Sequence, residues 1–239
     1  MKTLHLENIS ISVIPKNSLL SDSLETFEFI SNGLVNIDDV PLCGIPNIRV
    51  INFKKNRIKH LKPDLYQCST PKKWGHSKNS LFENNHLSIE SIDLSHNEIS
   101  ILTKAFNAFT KLSHLNLQNN SIQHISDIDF ENNFALEHLN LADNSISVIS
   151  KAAFTKLHHL RDINLSHNKI IQVELKLLPQ LSDINLSYNK ITFEKIQGIH
   201  HLLSLETLDL SYNELNGTSN FLIIFLQQLR LTSMGIISF

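Results

Sequence analysis

The chain is poor in the residues that small catalytic and metal sites are built from. Two cysteines stand among 239 residues, with no C-x-x-C pair, which leaves no cysteine set able to close a structural zinc site. Six glycines are too scattered to form a phosphate-binding loop. No nucleophile motif and no paired metal ligands occur, and His and Asp recur at regular intervals instead of converging. The expectation is a non-enzyme without a cofactor. Basic excess is also missing: Lys and Arg number 21 against 23 Asp and Glu, a net charge of -2. That argues against nucleic-acid binding through a basic surface at neutral pH. The apolar run "FLIIFL", 221–226, is far short of the roughly 20 residues a membrane-spanning helix needs. It reads as the inward face of a final coil. One Trp and three Tyr against thirteen Phe assign most aromatics to a core.

What the chain has in abundance is repetition. The stretch "LHHLRDINLSHNKI", residues 157–170, contains the skeleton Leu160-x-x-Ile163-x-Leu165-x-x-Asn168. The same skeleton ends at Asn32, Asn56, Asn97, Asn120, Asn144, Asn168, Asn189 and Asn213, with spacings of 24, 41, 23, 24, 24, 21 and 24. Degraded copies flank it at Met1–Leu4–Leu6–Ile9 and Leu226–Leu229–Leu231–Met234. This is the leucine-rich repeat, L-x-x-L-x-L-x-x-N. It predicts an α/β solenoid, a horseshoe of about ten coils. Short parallel strands would form its concave face, with irregular, 3-10 or short-helix structure on its convex side. Residues 1–239 form a single array.

The physics of the repeat explains its asparagine. Leu-x-Leu alternates with period two, so it makes a short strand with its leucines inward. The chain must then turn against an apolar interior, where each unpaired backbone group costs about 1–3 kcal/mol. A primary amide offers both donors and an acceptor to the turn. Stacked coils should therefore carry a structural asparagine ladder from Asn32 to Asn213. The return half of each coil repeats too. Ile122, Ile125, Phe130 and Leu136 match Ile146, Ile149, Phe154 and Leu160 as inward positions, with Leu157 inward and Phe134 nearby.

The rhythm breaks once. Between Asn56 and Asn97 the surplus "STPKKWGHSKNSLFENNHL", 69–87, is polar and reads as an excursion from the solenoid. Cys43 falls 11 residues after Asn32 and Cys68 falls 12 after Asn56, nearly the same place on adjacent coils. Coils stack at about 5 Å, and a disulfide needs Cα atoms about 4.4–6.8 Å apart. The spacing points to a Cys43–Cys68 bridge at the base of the excursion and to an oxidising compartment. Two buried thiols in a cytosolic protein are the other reading.

The segment "LCGIPNIRVINFKKNRIKHLKPDLYQC", its polar insertion and "LSIESIDLSHNEISIL" resemble the ectodomain of invertebrate Toll and Toll-like receptors. In that family a cysteine-bearing coil leads into a cysteine-bounded insertion, after which phenylalanine-containing repeats resume. The resemblance implies the extracellular ligand-binding part of an innate-immune or developmental receptor that signals across a membrane. It implies a location outside the cell, at its surface or in the endosomal lumen. It also implies a protein or microbial-pattern ligand and dimerisation of the receptor on binding. "MKTLHLENIS" has no apolar stretch of a signal peptide, neither end shows a polar cap, and no transmembrane or signalling domain is present. The expectation is a fragment of a longer array, attached to a membrane only through a segment absent here. A secreted or cell-surface adhesion or matrix protein is the alternative. A cytosolic scaffold is a weaker one, given the 24-residue coils with Phe130 and Phe154.

Candidate ligand contacts lie where the frame leaves freedom. The column before each ladder asparagine runs Lys55, His96, Asn119, Asp143, His167, Tyr188, Tyr212, and its variation marks Tyr188 and Tyr212 as a contact patch. The column between the strand leucines, Glu28, Asn52, Asp93, Asn116, Asn140, Asn164, Asn185 and Asp209, reads as a hydrated structural row. His114 and His138 share a strand position on adjacent coils. Protonating all thirteen histidines would take the net charge from -2 to about +11 near pH 5, so nucleic acid enters as a ligand only in acid. Trp74, with Lys72 and Lys73, is the candidate contact on the excursion. N-x-S/T sequons stand at Asn8, Asn119, Asn164, Asn185 and Asn216. Asn8 and Asn216 are the favoured glycan acceptors. If the cysteines pair, the intact mass under non-reducing conditions will fall short of the reduced mass by two hydrogens. Equal masses would leave both thiols free.

Overall fold

The computed structural model describes residues 1–15, 18–37, 40, 42–62, 88–215 and 236–238, with the backbone alone at Cys43 and at 236–238. In chain order the strands are β1 (Thr3–Glu7), β2 (Thr26–Ile30), β3 (Val50–Asn52), β4 (Ser91–Asp93), β5 (His114–Asn116), β6 (His124–Ile125) and β7 (His138–Asn140). They continue as β8 (Val148–Ile149), β9 (Asp162–Asn164), β10 (Val173–Glu174), β11 (Asp183–Asn185), β12 (Ile196–Gln197), β13 (Thr207–Asp209) and β14 (Ile236–Ser238). Ten of them form one sheet in the order β1-β2-β3-β4-β5-β7-β9-β11-β13-β14, and its strand pairs are parallel. The pairs β6–β8 and β10–β12 are two-stranded sheets on the return path.

The expected solenoid is the observed fold. Among the described residues its convex side uses turns and three 3-10 segments, Leu42–Gly44, Phe193–Lys195 and Ile199–His201, with no α-helix. The described residues trace about seven turns instead of about ten coils, because ten strands enclose nine circuits and those between β3 and β4 and between β13 and β14 run largely outside the described residues. The sheet runs unbroken past the long spacing, with Val50 opposite Ser91. The excursion 69–87 itself lies outside the described residues. Thr207 pairs with Ile236 and Leu208 with Ile237, which places the tenth strand of the sheet at Ile236–Ser238, while the degraded copy Leu226–Leu229–Leu231–Met234 lies outside the described residues. Met234-x-x-Ile237-x-Phe239 keeps the repeat spacing, and the β-branched pair Ile236–Ile237 favours extended backbone.

Packing follows the period-two rule. The central residue of each concave strand, from Ile51 and Ile92 to Leu115, Leu139, Ile163, Ile184 and Leu208, is buried. Each such side chain contributes about 1.5–3 kcal/mol of apolar burial. Phe130 and Phe154 are buried and stack across coils with ring centroids 6.4 Å apart. One expected inward position differs, since Ile149 is only partly buried against the core; Phe134, beside the inward positions, is largely exposed. Asn133 was not anticipated as a core residue. It occupies the position held by Phe109 and Leu157 on neighbouring coils, is fully buried, and donates to the carbonyls of Phe106 at 2.9 Å and Phe109 at 3.1 Å.

The asparagines form a ladder with one repeating bond scheme. Asn168 Nδ2 donates to Leu141 O of the preceding coil at 3.0 Å and to Leu165 O of its own coil at 3.1 Å. Its Oδ1 accepts from the Ile146 N–H of the preceding coil at 2.9 Å. Asn97, Asn120, Asn144, Asn189 and Asn213 repeat this scheme. Asn32 and Asn56 likewise bond the preceding coil. At the strand entrance a second device aligns the coils by charge. Lys2 pairs with Glu25 at 2.8 Å, and Arg49 grips Glu90 with two nitrogens. The Arg49–Glu90 pair ties the coils on either side of the long spacing.

Asn168→Ala removes an acceptor from one buried N–H and a donor from several carbonyls. The expected loss is about 3 kcal/mol in denaturant unfolding, against about 1 kcal/mol for Asn164→Ala, which is itself only half-buried and bonds a single residue, Ser166. Equal losses at the two positions would remove the ladder's structural weight.

Candidate functional site

The outward edges of β4, β5, β7, β9, β11 and β13 line one trough of about 590 Å³ on the concave face. Two columns of side chains form its floor. One lies between the leucines, and the structure shows why it is restricted to Asn and Asp. Asn116 Oδ1 accepts from the Gln118 N–H, Asn140 from Ala142, Asn164 from Ser166, and Asp93 and Asp209 from Ser95 and Ser211, at 2.8–3.1 Å. Each closes the turn that leaves its strand. The column is thus structural at one oxygen of each residue, and Asn140 also donates through Nδ2 to Gln118 Oε1 at 3.3 Å.

The other column precedes the first inward residue of each strand: Ser91, His114, His138, Asp162, Asp183, Thr207. The His114 and His138 rings stack with centroids 4.3 Å apart and planes 23° from parallel. His138 Nδ1 bonds the Asp162 carboxylate. Burial pushes the Asp162 carboxyl up, helped by its hydrogen bond to Asp183. Hydroxyl donation from Ser182 and Thr207 holds Asp183 down. Of the two carboxyls, Asp162 takes the proton first. Partial burial, then the His138 charge, lowers the His114 imidazole. Among the described residues no three such side chains converge on a metal position.

The corner column before the ladder asparagines is less free than its sequence variation implied. Ser31, Lys55, His96, Asn119, Asp143, His167, Tyr188 and Tyr212 all adopt φ between 53° and 57°. Every coil turns through a left-handed residue there, a conformation that Asn and Asp adopt more readily than Tyr. The frame dictates backbone at this column and leaves only the side chain open. His167 stacks on Tyr188 at 4.2 Å, and Tyr188 on Tyr212 at 4.1 Å, with planes 12° and 13° apart. Tyr188 is 43% exposed and Tyr212 70%. The structure therefore joins Tyr188 to Tyr212, adds His167 to the row, and joins His114 to His138. These groups sit on two different columns. His167 was legible only as a corner residue, since its 21-residue offset from Tyr188 breaks the 24-residue period. The Cys43 side chain, Cys68, Lys72, Lys73, Trp74 and Asn216 lie outside the described residues. Asn8 is an exposed corner residue at φ 54°.

The His114 shift fixes a sign for pH dependence. Its folded value lies below the ordinary 6.5, so the folded state binds fewer protons than the unfolded one. That stability is complete above the unfolded value and is lost as pH falls through the folded value. Thermal unfolding should move to lower temperature as pH falls below about 6.5, and His114→Gln should flatten that slope. An unchanged slope in the variant would deny the pair a role. Asp162, raised, acts with the opposite sign in the carboxylate range below.

Leucine rich repeat family models match residues 110–170 and 204–229. No curated protein matches the sequence. Among solved structures, a chain of the Drosophila Toll–Spatzle complex superposes with a TM-score of 0.70 at 23% identity, covering 88% of this chain and 28% of that one. TLR13 in its ssRNA13 complex gives 0.67 at 26% identity, covering 86% and 27%. An internalin, InlF from Listeria monocytogenes str. 4b F2365, gives 0.59 at 20% identity, covering 91% and 62%. The chain thus spans little more than a quarter of either Toll-type chain. No helix among the described residues is long and apolar enough to cross a membrane. Leucine-rich-repeat models thus match two segments of the chain, and its fold is the solenoid of these structures, with similarity to the Toll-type chains.

Proposed function

We propose that the chain is part of the ligand-binding ectodomain of a Toll-like receptor with an innate-immune or developmental role. It acts outside the cell, at the cell surface or in the endosomal lumen, and dimerises when its protein or microbial-pattern ligand binds. The observation that carries this reading is the trough, in which six consecutive strands present side chains that the core does not use. The Toll–Spatzle likeness supports a protein ligand, and the TLR13–ssRNA13 likeness keeps nucleic acid as the acid-pH alternative. Charge favours protein. Asp93, Asp162, Asp183 and Asp209 line the same trough as the two histidines, so a phosphate backbone laid there meets carboxylates at neutral pH. The Cys43–Cys68 bridge and the excursion 69–87, with Trp74, Lys72 and Lys73 as contacts, belong to this reading. The internalin likeness supports the second reading, a secreted or cell-surface adhesion protein.

The test pairs two probes, Spatzle and ssRNA13, in titrations at about pH 7.5 and about pH 5.5, on either side of the histidine range. The expected outcome is binding of Spatzle at the higher pH, weakened by Asp183→Lys in the trough. Binding of ssRNA13 at the lower pH alone would move the assignment to nucleic acid. If neither binds, and the full-length transcript encodes no membrane span, the adhesion reading replaces the receptor.

A further inference from the structure

Four described sequons divide into two structural classes. Asn164-Leu165-Ser166 and Asn185-Leu186-Ser187 lie on the trough floor. Asn164 Oδ1 accepts from the Ser166 N–H at 3.0 Å and from its hydroxyl at 2.7 Å. Asn185 repeats both bonds with Ser187 at the same distances. Both serines are buried. Side chains on neighbouring strands follow at about 4.8 Å, so a sugar on either asparagine is confined between adjacent amides of the column.

Asn8-Ile9-Ser10 and Asn119-Asn120-Ser121 lie instead on the left-handed corner, at φ 54° and 55°. Asn is among the few residues with an intrinsic tolerance for that conformation. The structural work at the Asn119 corner is done by its neighbour. Asn120 Nδ2 donates to Leu94 O and Leu117 O, and Asn120 Oδ1 accepts from the Ile99 N–H. Asn119 gives its backbone N–H to Ala142 O at 3.0 Å. Its exposed side chain joins no hydrogen bond of the described residues.

From this division we propose that Asn119 is an N-glycan acceptor equivalent to Asn8, and that Asn164 and Asn185 are not acceptors. The proposal rests on the extracellular reading above. The donor is an oligosaccharide linked through pyrophosphate to a lipid. The Asn119 Nδ2–C1 bond forms, the C1–oxygen bond to the lipid pyrophosphate breaks, and the amide gives up one proton. The transfer acts on unfolded chain, and the fold then selects. A glycan at Asn119 leaves every ladder bond intact, whereas one at Asn164 must fit the trough while Ser166 is buried. The sugar at Asn119 rises from the corner edge beside Asp143. It leaves the trough open and confines partner access along that edge to the His167–Tyr188–Tyr212 end.

The test is peptide mapping of the full-length product isolated from its own cells, after enzymatic glycan release in isotopic water. The expected result is an isotope-marked Asp at 119 and unmarked Asn at 164 and 185. Ser121→Ala, which breaks the sequon and keeps Asn119 at its left-handed corner, should remove one glycan mass and leave the unfolding midpoint of the deglycosylated protein unchanged. A bare Asn119 beside a marked sequon elsewhere overturns this inference alone, as does marking at Asn164 or Asn185. Bare asparagine at every sequon overturns it together with the extracellular reading on which it rests.

Discussion

One interaction organises this molecule: a buried primary amide, once per coil, bonding the backbone of its own turn and of the turn before it. Without it each coil would bury unpaired donors and acceptors at every corner, at a cost comparable to the whole apolar gain of that corner. With it the coils close and stack, because half of each asparagine's bonds are made to its neighbour. The aliphatic and Phe core supplies most of the driving force, but apolar burial is non-directional. The amides supply direction and fix the coil-to-coil register, assisted at the strand entrance by pairs such as Arg49–Glu90.

The same constraint sorts the surface. Three outward columns emerge from each strand and its corner, and the frame makes a different demand on each. The column between the leucines must offer an acceptor to the next turn, which limits it to Asn and Asp along most of its length. The corner column must adopt a left-handed backbone but may end in any side chain. The column that begins the strand faces neither demand. It is there that His114, His138, Asp162 and Asp183 form a line in which, besides burial, the His138 charge lowers His114 and the Asp183 hydrogen bond raises Asp162. The columns with spare freedom in this chain are the titratable strand column and the exposed His167–Tyr188–Tyr212 end of the corner column.

Much of this was legible in the sequence. The repeat announced the solenoid, the strand positions, the ladder and most of the inward side chains, because each follows from a local period. The stacking of His114 on His138 and of Tyr188 on Tyr212 followed from counting positions along the coils. Other features were hidden. Asn133 in the core and the exposure of Phe134 depend on how the return path packs. The link from His167 to Tyr188 crosses a 21-residue coil, and the tenth strand of the sheet sits at Ile236–Ser238, beyond the degraded motif copy.

Sequence by itself determined the fold class, because a two-residue alternation closed by an amide has one economical stacked solution, repeated until no other architecture fits. It also determined where polar freedom exists, through the columns the repeat does not specify. Tertiary structure alone decided what those positions do. Positive φ at every corner, the order in which Asp162 and Asp183 take a proton, and the engagement of Asn164 and Asn185 but not Asn119 are products of neighbouring coils. They arise from distances between residues some twenty places apart, which a linear pattern ranks by position and cannot measure.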